Sequence, residues 1–340
     1  MKSYKQALFF QSGSIGDFLM SVYFAENLHE SGVAKEVVIF LPRNGKFLSG
    51  FVESYPYIRV VEFSRIMALF VLLRYISFRS LVFLQPTLGK LPLRLKFFAW
   101  AMSRLPGSVL IGFQDAGPFC KALYSVMLEY DTGKPFLETI KTALRALSIQ
   151  KISEPGLKVS EDKKVFEKLN VKKPYIFFHP LGFTEKRSFG KDDAAHFIRA
   201  ILEKHSEWNI IISGSESERQ KFEDIAKLSG WESQVIFATG LSVKELASLI
   251  LGAKLYVGVD TGITHLASLL GALVLCVAHN GTIHWLPFYG ARTQVLYRFR
   301  EDEEAHEGIE YLEKHRSADI KPFGKVPEDA VEKTVFKMLS

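Results

Sequence analysis

Cysteine is scarce in this chain of 340 residues, which contains only Cys120 and Cys276. Two cysteines are too few for a disulfide framework and are typical of a reducing compartment. A long apolar run is also missing, because the most hydrophobic window, residues 67–84, is interrupted by Arg74 and Arg79. Such cations are poorly tolerated in a spanning helix, and the apolar run near the N-terminus is too short for a signal peptide. We therefore expect no transmembrane segment and a cytoplasmic protein.

Acidic residues are absent between Glu62 and Asp115, although the formal net charge of the whole chain is only +6. The cations of this stretch, which lie among apolar residues, are Arg65, Arg74, Arg79, Lys90, Arg94, Lys96 and Arg104. They either cover solvated helix faces around a core or form a surface that docks on something anionic, such as a phosphorylated lipid or a membrane face. Nucleic acid is disfavoured, because no recognised nucleic-acid-binding motif accompanies the charge.

Apolar strand-like runs alternate with amphipathic helical segments along the chain. Strands are predicted at 7–10, 36–40, 81–84 and 108–113, and again at 175–180, 208–214, 233–240, 254–260 and 272–278. Helices are predicted at 17–30, 44–54, 65–76, 91–104, 134–149, 192–206, 216–229, 243–251, 262–270 and 327–339. This alternation predicts parallel sheets, and the polar segment 148–174 is the natural linker. We expect two doubly wound α/β domains with a ligand cleft between them, at the carboxyl ends of the strands.

A glycine-containing turn joins the first predicted strand to the first predicted helix. Gly13 and Gly16 allow a ligand to approach the backbone closely, and Asp17 lies at the helix start, where free N–H groups meet the positive end of the dipole. Asp17 is either a capping acid or part of a site. The spacing is not the dinucleotide fingerprint, so this motif alone leaves both interpretations open.

The segment 254–278 carries a more specific pattern. A strand ends before Asp260, Thr261 and Gly262, and a helix begins at once with His265 in its first turn. Backbone N–H groups and the Thr261 hydroxyl directed at one point are typical of a phosphate cradle. Capping would explain each residue singly, but three polar residues clustered at a strand–helix turn favour a binding site.

Two further strand ends carry candidate ligand-binding residues. Lys186 and Arg187 follow the strand at 175–180 and suit a diphosphate, unless they belong to a solvated basic loop. Glu216 follows the strand at 208–214 and suits ribose hydroxyls, with a capping role as the equal alternative.

With these motifs in order, the chain resembles glycosyltransferase family 9, the ADP-heptose:lipopolysaccharide heptosyltransferases. The likeness rests on Gly-Ser-Ile-Gly-Asp at 13–17, on Lys186-Arg187, and on Val-Gly-Val-Asp-Thr-Gly-Ile-Thr-His-Leu-Ala at 257–267, and it spans nearly the whole chain. It implies the GT-B fold, which has two Rossmann-like doubly wound domains facing a central cleft. Residues 1–155 would form the acceptor domain, residues 172–325 the nucleotide-sugar domain, and 327–340 a final helix that packs back on the first domain.

The resemblance implies inverting transfer of a heptose from ADP-heptose to a Kdo/lipid A-type acceptor of the lipopolysaccharide inner core, without a metal or another cofactor. Asp17 looks like the general base that deprotonates the acceptor hydroxyl, and Lys186 looks like a catalytic, diphosphate-binding lysine. The other implied donor-binding residues are Arg187, Glu216, Asp260, Thr261, Gly262 and His265. Acceptor-binding residues are expected at Gly13, Ser14, Gly16, Lys90 and Arg94. The expected partners are a nucleotide-sugar and a membrane-anchored anionic glycolipid at the inner-membrane surface, and no nucleic acid.

The chain departs from the family pattern close to the expected donor site. The usual Lys-Arg-Trp-Pro run is Lys-Arg-Ser-Phe at 186–189, and the usual Phe-Gly-Pro-Thr loop is replaced by Ala-His-Asn-Gly-Thr at 278–282. His279 and His284 either touch the donor or lie at the surface, and we expect the surface. Alternatives to heptose transfer are another nucleotide-sugar donor or another acceptor, including a protein, and a nucleotide-sugar epimerase or hydrolase of the same architecture.

Overall fold

The structure is a computed structural model that describes residues 3–11, 14–41, 45–62, 79–84, 97, 100–114, 124–287, 289–308 and 323–340. The chain divides into two compact units. The first consists of Met1–Asp131 and Leu137–Lys158, and the second of Thr132–Phe136 and Val159–Ser340. The main division therefore falls after Lys158, inside the segment that we interpreted as a linker.

The first unit contains a parallel sheet with the strand order β3-β2-β1-β4-β5-β6. Its strands are β1 (Tyr4–Phe10), β2 (Ala34–Leu41), β3 (Ile58–Glu62), β4 (Ser80–Leu84), β5 (Val109–Phe113) and β6 (Val126–Leu128). The predictions for β1, β2, β4 and β5 are confirmed, whereas β3 and β6 were missed. Strand β1 pairs with β2 on one side and with β4 on the other. Successive strands are therefore added in one direction up to β3 and in the opposite direction from β4 onward, and we call the place between β1 and β4 the reversal point of this sheet.

The second unit repeats this order in the sheet β13-β12-β11-β10-β7-β8-β9. Its strands are β7 (Tyr175–His179), β8 (Asn209–Gly214), β9 (Val235–Thr239), β10 (Leu255–Val259), β11 (Val274–Val277), β12 (Thr293–Tyr297) and β13 (His306–Glu307). All are parallel except β13, which lies antiparallel at the edge. The predictions for β7 to β11 are confirmed, and β12 and β13 were missed. The reversal point lies between β7 and β10.

Helices connect the strands of both sheets. The α-helices of the described residues are α1 (Ile15–Glu30), α2 (Gly45–Ser49), α3 (Phe136–Ala146), α4 (Lys164–Lys168), α5 (Lys191–Lys204), α6 (Arg219–Ser229), α7 (Val243–Gly252), α8 (Gly262–Leu269) and α9 (Glu328–Leu339). The helix predicted at 65–76 and most of that at 91–104 lie outside the described residues. None of the helices in the described ranges is long and apolar enough to cross a bilayer.

Burial on both sheet faces explains why the central strands were visible in the sequence. Parallel strands covered by helices lack the polar alternation of a half-exposed sheet. Every residue of β7 and β10 is buried. In the first unit, the ring of Phe24 on α1 stacks on Phe9 of β1 with centroids 5.1 Å apart and meets Phe83 of β4 edge-on at 4.6 Å.

The C-terminal helix α9 packs on α5 within the second unit. Val331 and Val335 join the apolar core of that unit. His196 Nε2 lies 2.8 Å from Glu332 Oε1, and Lys204 Nζ lies 3.9 Å from the ring centroid of Phe336. The expected contact of this helix with the first unit stays a prediction.

Four histidines of the second unit, His179, His265, His279 and His284, are buried, and this corrects our expectation that His279 and His284 lie at the surface. His279 Nδ1 accepts the Val326 N–H at 3.1 Å, and His284 Nδ1 lies 2.7 Å from the Lys134 carbonyl oxygen. These backbone partners are distant in sequence, so the local pattern did not reveal them. His179 ends β7, with Nδ1 2.9 Å from the Ser213 carbonyl oxygen.

We expect the free energy of unfolding to fall as the pH drops from about 6.5 to about 4. Burial lowers the pKa of both His179 and His279 from 6.5 to about 4. The unfolded chain therefore binds protons in this range while the native imidazoles do not, so stability is complete above the range and lost below it. Each histidine should contribute on the order of 3 kcal/mol to the change. Urea unfolding between pH 7.5 and 4 measures it.

Substitution of the two buried histidines identifies the source of this pH dependence of the unfolding free energy. His179→Gln and His279→Gln should each flatten the pH dependence of the unfolding free energy, even if they lower stability at pH 7.5. His29→Gln, at an exposed histidine of α1, is the control and should leave the slope unchanged. A slope that survives both core substitutions would contradict the assignment.

Candidate active site

The topology of the second sheet brings two loops that carry predicted site residues side by side. Strands β7 and β10 are hydrogen-bonded neighbours, with Gly258 paired to His179 at their carboxyl ends. The loop after β7 contains Lys186 and Arg187, and the turn after β10 leads directly into α8. Reversal points of this kind form crevices outside the carboxyl ends of the strands, where α/β proteins bind ligands.

A chain of hydroxyl groups shapes the turn between β10 and α8. The Tyr256 ring lies over Gly258, where an added Cβ would come within 2.8 Å of the ring. Its hydroxyl thereby reaches Thr264 Oγ1 at 3.0 Å, and Thr264 Oγ1 donates to the Val259 carbonyl at 2.5 Å. Thr261 is the N-cap residue of α8. The first N–H groups of α8, beginning at Gly262, have no earlier helical turn to bind.

Arg187 and Asp260 join the two loops. The Arg187 Nη2 group donates both to the Asp260 carboxylate at Oδ2 and to the Asp260 carbonyl oxygen, the latter at 3.1 Å. Asp260 is only 5% exposed. Arg187 Nε is also buried and has no hydrogen-bond partner among the described residues. A buried donor of this kind is costly unless an acceptor arrives, so the guanidinium retains capacity for an anionic ligand.

His265 links this ion pair to Tyr289, a residue that our sequence reasoning missed. His265 Nε2 lies 3.7 Å from Asp260 Oδ1, and His265 Nδ1 lies 2.5 Å from the Tyr289 hydroxyl. Tyr289 lies just before β12, and because β12 was missed, nothing in the sequence tied this tyrosine to the site.

Lys186 lies in a short 3₁₀ turn, Glu185–Arg187, and its side chain is exposed. Its ammonium makes no ion pair with the described residues. Its carbonyl oxygen accepts a 2.6 Å hydrogen bond from Asn280 Nδ2 in the loop after β11. Asn280 was not among the residues that we singled out individually. The same loop brings Gly281 so close that an added Cβ would lie 3.4 Å from Asp260 Oδ2.

Glu216 lies at the end of the neighbouring strand pair. It begins a 3₁₀ turn after β8, and its Oε2 accepts a hydrogen bond from the Thr239 hydroxyl at the end of β9. The capping carboxylate of this turn is Glu218, which accepts from the Ser215 N–H at 2.7 Å. The turn is therefore a capped first turn, as our alternative interpretation had it, but its capping carboxylate belongs to Glu218, and the Glu216 carboxylate is exposed.

The first unit carries its predicted residues at the corresponding reversal point, after β1. Ser14 is the N-cap residue of α1 and accepts the Asp17 N–H at 3.3 Å. Ser14 Oγ also donates to Asp17 Oδ2 at 2.6 Å. Asp17 is only 8% exposed, and Gly16 lies in the same first turn. Gly13, Lys90 and Arg94 lie outside the described residues, so their predicted acceptor contacts stay predictions.

Gln11 is a third residue that our sequence reasoning missed. It follows β1 directly and is 1% exposed, and neither its Nε2 nor its Oε1 atom has a hydrogen-bond partner among the described residues. A polar residue at the end of an otherwise apolar strand was the available signal. In the ranges that the structure describes, no group of three or more His, Cys, Asp and Glu residues could hold a metal ion.

Three solved structures described as a glycosyltransferase or a heptosyltransferase have a similar fold. A glycosyltransferase family 9 protein from Veillonella parvula matches with a TM-score of 0.74 and 15% identity, over 99% of this chain and 97% of its own. ADP-heptose lps heptosyltransferase II from E. coli matches with a TM-score of 0.71 and 16% identity, over 98% of both chains. E. coli heptosyltransferase WaaC with ADP matches with a TM-score of 0.66 and 15% identity, over 98% and 99%. These likenesses show the GT-B fold.

The family is shown by the sequence itself. No curated protein sequence matches the chain significantly, but the sequence model of glycosyltransferase family 9 (heptosyltransferase) matches residues 99–303, which is more than half of the chain. The matched range includes every predicted donor-binding residue, from Lys186 to His265, while Asp17 lies outside it. The chain therefore belongs to glycosyltransferase family 9, the heptosyltransferase family, and is a glycosyltransferase.

Proposed function

We propose that this glycosyltransferase transfers a heptose from ADP-heptose to a Kdo/lipid A-type acceptor of the lipopolysaccharide inner core, with inversion at the anomeric carbon. Family membership supports the heptose. Two solved structures of E. coli heptosyltransferase WaaC, one with ADP and one with ADP-2-deoxy-2-fluoro heptose, support the nucleotide. We expect the reaction to need neither a metal nor another cofactor.

The observation that carries this proposal is the concentration of positive groups at the β7/β10 reversal point. Lys186 is exposed without an ion pair to the described residues, and Arg187 keeps one buried N–H without a described partner. Helix α8 begins at Gly262, two residues after Asp260. Guanidinium, ammonium and helix N–H groups together suit a diphosphate. They would stabilise the charge that develops on the leaving group.

Two carboxylates, Glu216 and Asp260, are proposed to bind hydroxyl groups of the donor's ribose and sugar. Glu216 would accept ribose hydroxyls, because its exposed side chain is fixed by Thr239. Asp260 would accept a hydroxyl of the donor sugar, in competition with its bonds to Arg187. Thr261 and His265 flank this point at the start of α8 and would line the sugar and phosphates.

Asp17 is proposed as the general base. The acceptor oxygen attacks the anomeric carbon, its proton passes to the Asp17 carboxylate, and the bond from the anomeric carbon to the diphosphate oxygen breaks. The diphosphate leaves with the bonding electrons. Ser14 fixes the direction of the carboxylate through its 2.6 Å bond to Oδ2, and fixed orientation is what a general base requires.

A nucleotide panel tests the donor. ADP, UDP, GDP and CMP are each added in excess, and thermal unfolding is followed. ADP at a hundredfold excess over its dissociation constant should add about 2.7 kcal/mol to the unfolding free energy. Lys186→Ala should raise the dissociation constant of ADP about 10- to 100-fold, because a charged hydrogen-bond donor is lost. Lys227→Ala, at an exposed lysine of α6, is the control. Stabilisation by UDP or GDP instead of ADP would exclude an ADP-heptose donor.

Substitution of the base separates chemistry from binding. Asp17→Asn keeps the shape of the side chain and should lower the transfer rate about 10²- to 10⁴-fold, while ADP affinity stays within twofold of wild type. Asp192→Asn removes another first-turn carboxylate, on α5, and controls for the helix-start charge. Turnover of Asp17→Asn within tenfold of wild type would show that another group takes the proton.

We propose that the first unit, which would bind the acceptor, docks on the cytoplasmic face of the inner membrane. Phe97 is 63% exposed, its ring centroid lies 5.3 Å from that of Trp100, and the Arg104 guanidinium lies 5.4 Å from the Trp100 ring. Exposed aromatic and cationic side chains suit an anionic interface. The acid-free stretch between Glu62 and Asp115 surrounds these residues in sequence.

Vesicle sedimentation tests this docking. The protein should pellet with vesicles that contain phosphatidylglycerol and remain in the supernatant with pure phosphatidylcholine, and added salt should release it. Phe97→Ser should weaken the binding severalfold. Phe183→Ser, at a phenylalanine of the second unit that is 92% exposed, is the matched control. Equal binding to both lipids, or equal losses in the two variants, would contradict the assignment.

A further inference from the structure

Asn280 connects two loops of the second unit that carry different parts of the candidate active site. It lies in the loop after β11 and has a φ of 47°, in the left-handed region. Its Nδ2 group donates a 2.6 Å hydrogen bond to the carbonyl oxygen of Lys186. Strand β11 pairs with β10, so this loop opens beside the turn that carries Asp260.

The loop that carries Asn280 is itself held in place by the segment that precedes α9. His279 Nδ1 accepts the Val326 N–H at 3.1 Å, and the Gly281 carbonyl accepts the Phe323 N–H at 2.9 Å. The segment before α9 therefore anchors both residues that flank Asn280. With its neighbours fixed, the Asn280 amide is directed at Lys186 from a rigid base.

The turn Glu185–Arg187 is consequently clamped at two points. On one side the Arg187 guanidinium is bound to Asp260. On the other side the Lys186 backbone is bound to Asn280. The Lys186 side chain has no ion pair with the described residues that would orient it, so its direction depends on the backbone of this turn.

We infer that Asn280 is a positioning residue that presents Lys186 to the diphosphate of the nucleotide-sugar. The inference rests on the proposed function, in which Lys186 binds that diphosphate. A group that is held in place before the ligand arrives loses less conformational entropy on binding. Asn280 therefore acts on donor affinity through Lys186.

Two substitutions remove the hydrogen bond without forcing the backbone out of its conformation. Asn280→Gly keeps a residue that tolerates positive φ and deletes the amide. Asn280→Asp keeps the shape and tolerates the same φ, but an ionised carboxylate cannot donate to the Lys186 carbonyl. The control is Asn170, which is exposed, has a φ of 49° and precedes β7 in the same unit. Asn170→Gly and Asn170→Asp repeat both changes away from the clamp.

The expected result is weaker binding of the nucleotide and the nucleotide-sugar. Loss of one hydrogen bond corresponds to about a three- to tenfold change in an equilibrium constant. Both Asn280 variants should raise the dissociation constant of ADP and the KM for the nucleotide-sugar by this factor. The kcat at saturating donor should fall by no more than this factor, because Lys186 is also proposed to stabilise the leaving diphosphate, and both Asn170 variants should behave as wild type. A fall in kcat at unchanged KM would overturn the inference.

A double-mutant cycle with Lys186→Ala decides whether Asn280 acts through Lys186. Once the lysine side chain is absent, Asn280→Gly should change the dissociation constant of ADP less than twofold. If the two effects multiply instead, or if Asn280→Gly alone has no effect, the positioning role is wrong and the donor site stands. If Lys186→Ala alone leaves ADP affinity unchanged, the proposed donor site falls, and the role of Asn280 falls with it.

Discussion

The ion pair between Arg187 and Asp260 is the interaction on which the organisation of the second unit's site depends. It joins loops that are 73 residues apart in the chain and lie at the carboxyl ends of two hydrogen-bonded strands, β7 and β10. Asp260 is almost fully buried, so its charge requires a partner. Removing one member of such a pair leaves an uncompensated buried charge, which typically costs about 3–5 kcal/mol. The pair therefore fixes the geometry of both loops before any ligand binds.

Other groups of the site are arranged around this pair. His265 approaches Oδ1 of the Asp260 carboxylate and contacts Tyr289 through its other ring nitrogen. Gly281 lies close to Oδ2, the oxygen that binds Arg187. An anion that binds Arg187 competes with Asp260 for the same guanidinium. Diphosphate binding would consequently loosen the hold on Asp260 and free its carboxylate for a sugar hydroxyl. Ligand binding at Arg187 and ligand binding at Asp260 are thus coupled, and the two residues must be assigned their roles together.

The sequence predicted the central strands of each sheet and the edge strand β9, but it missed β3, β6, β12 and β13. Strands such as β1, β7 and β10 are covered on both faces, so they appear as continuous apolar runs. Edge strand β3 has a single buried residue, Ile58, and β12 begins with the polar pair Thr293-Gln294. Neither forms such a run. Helix starts after the central strands were equally visible, because their polar residues follow an apolar run at once.

The site was predictable only as separate pieces. Asp17, Lys186 and Asp260 could be named because each follows a recognisable strand. Tyr289 and Asn280 could not, because their roles arise from contacts with residues 24 and 94 positions away. His279 was misjudged for the same reason, since the segment that buries it begins more than forty residues later. Local patterns record which residues a strand end carries, whereas tertiary contacts decide which of them act together.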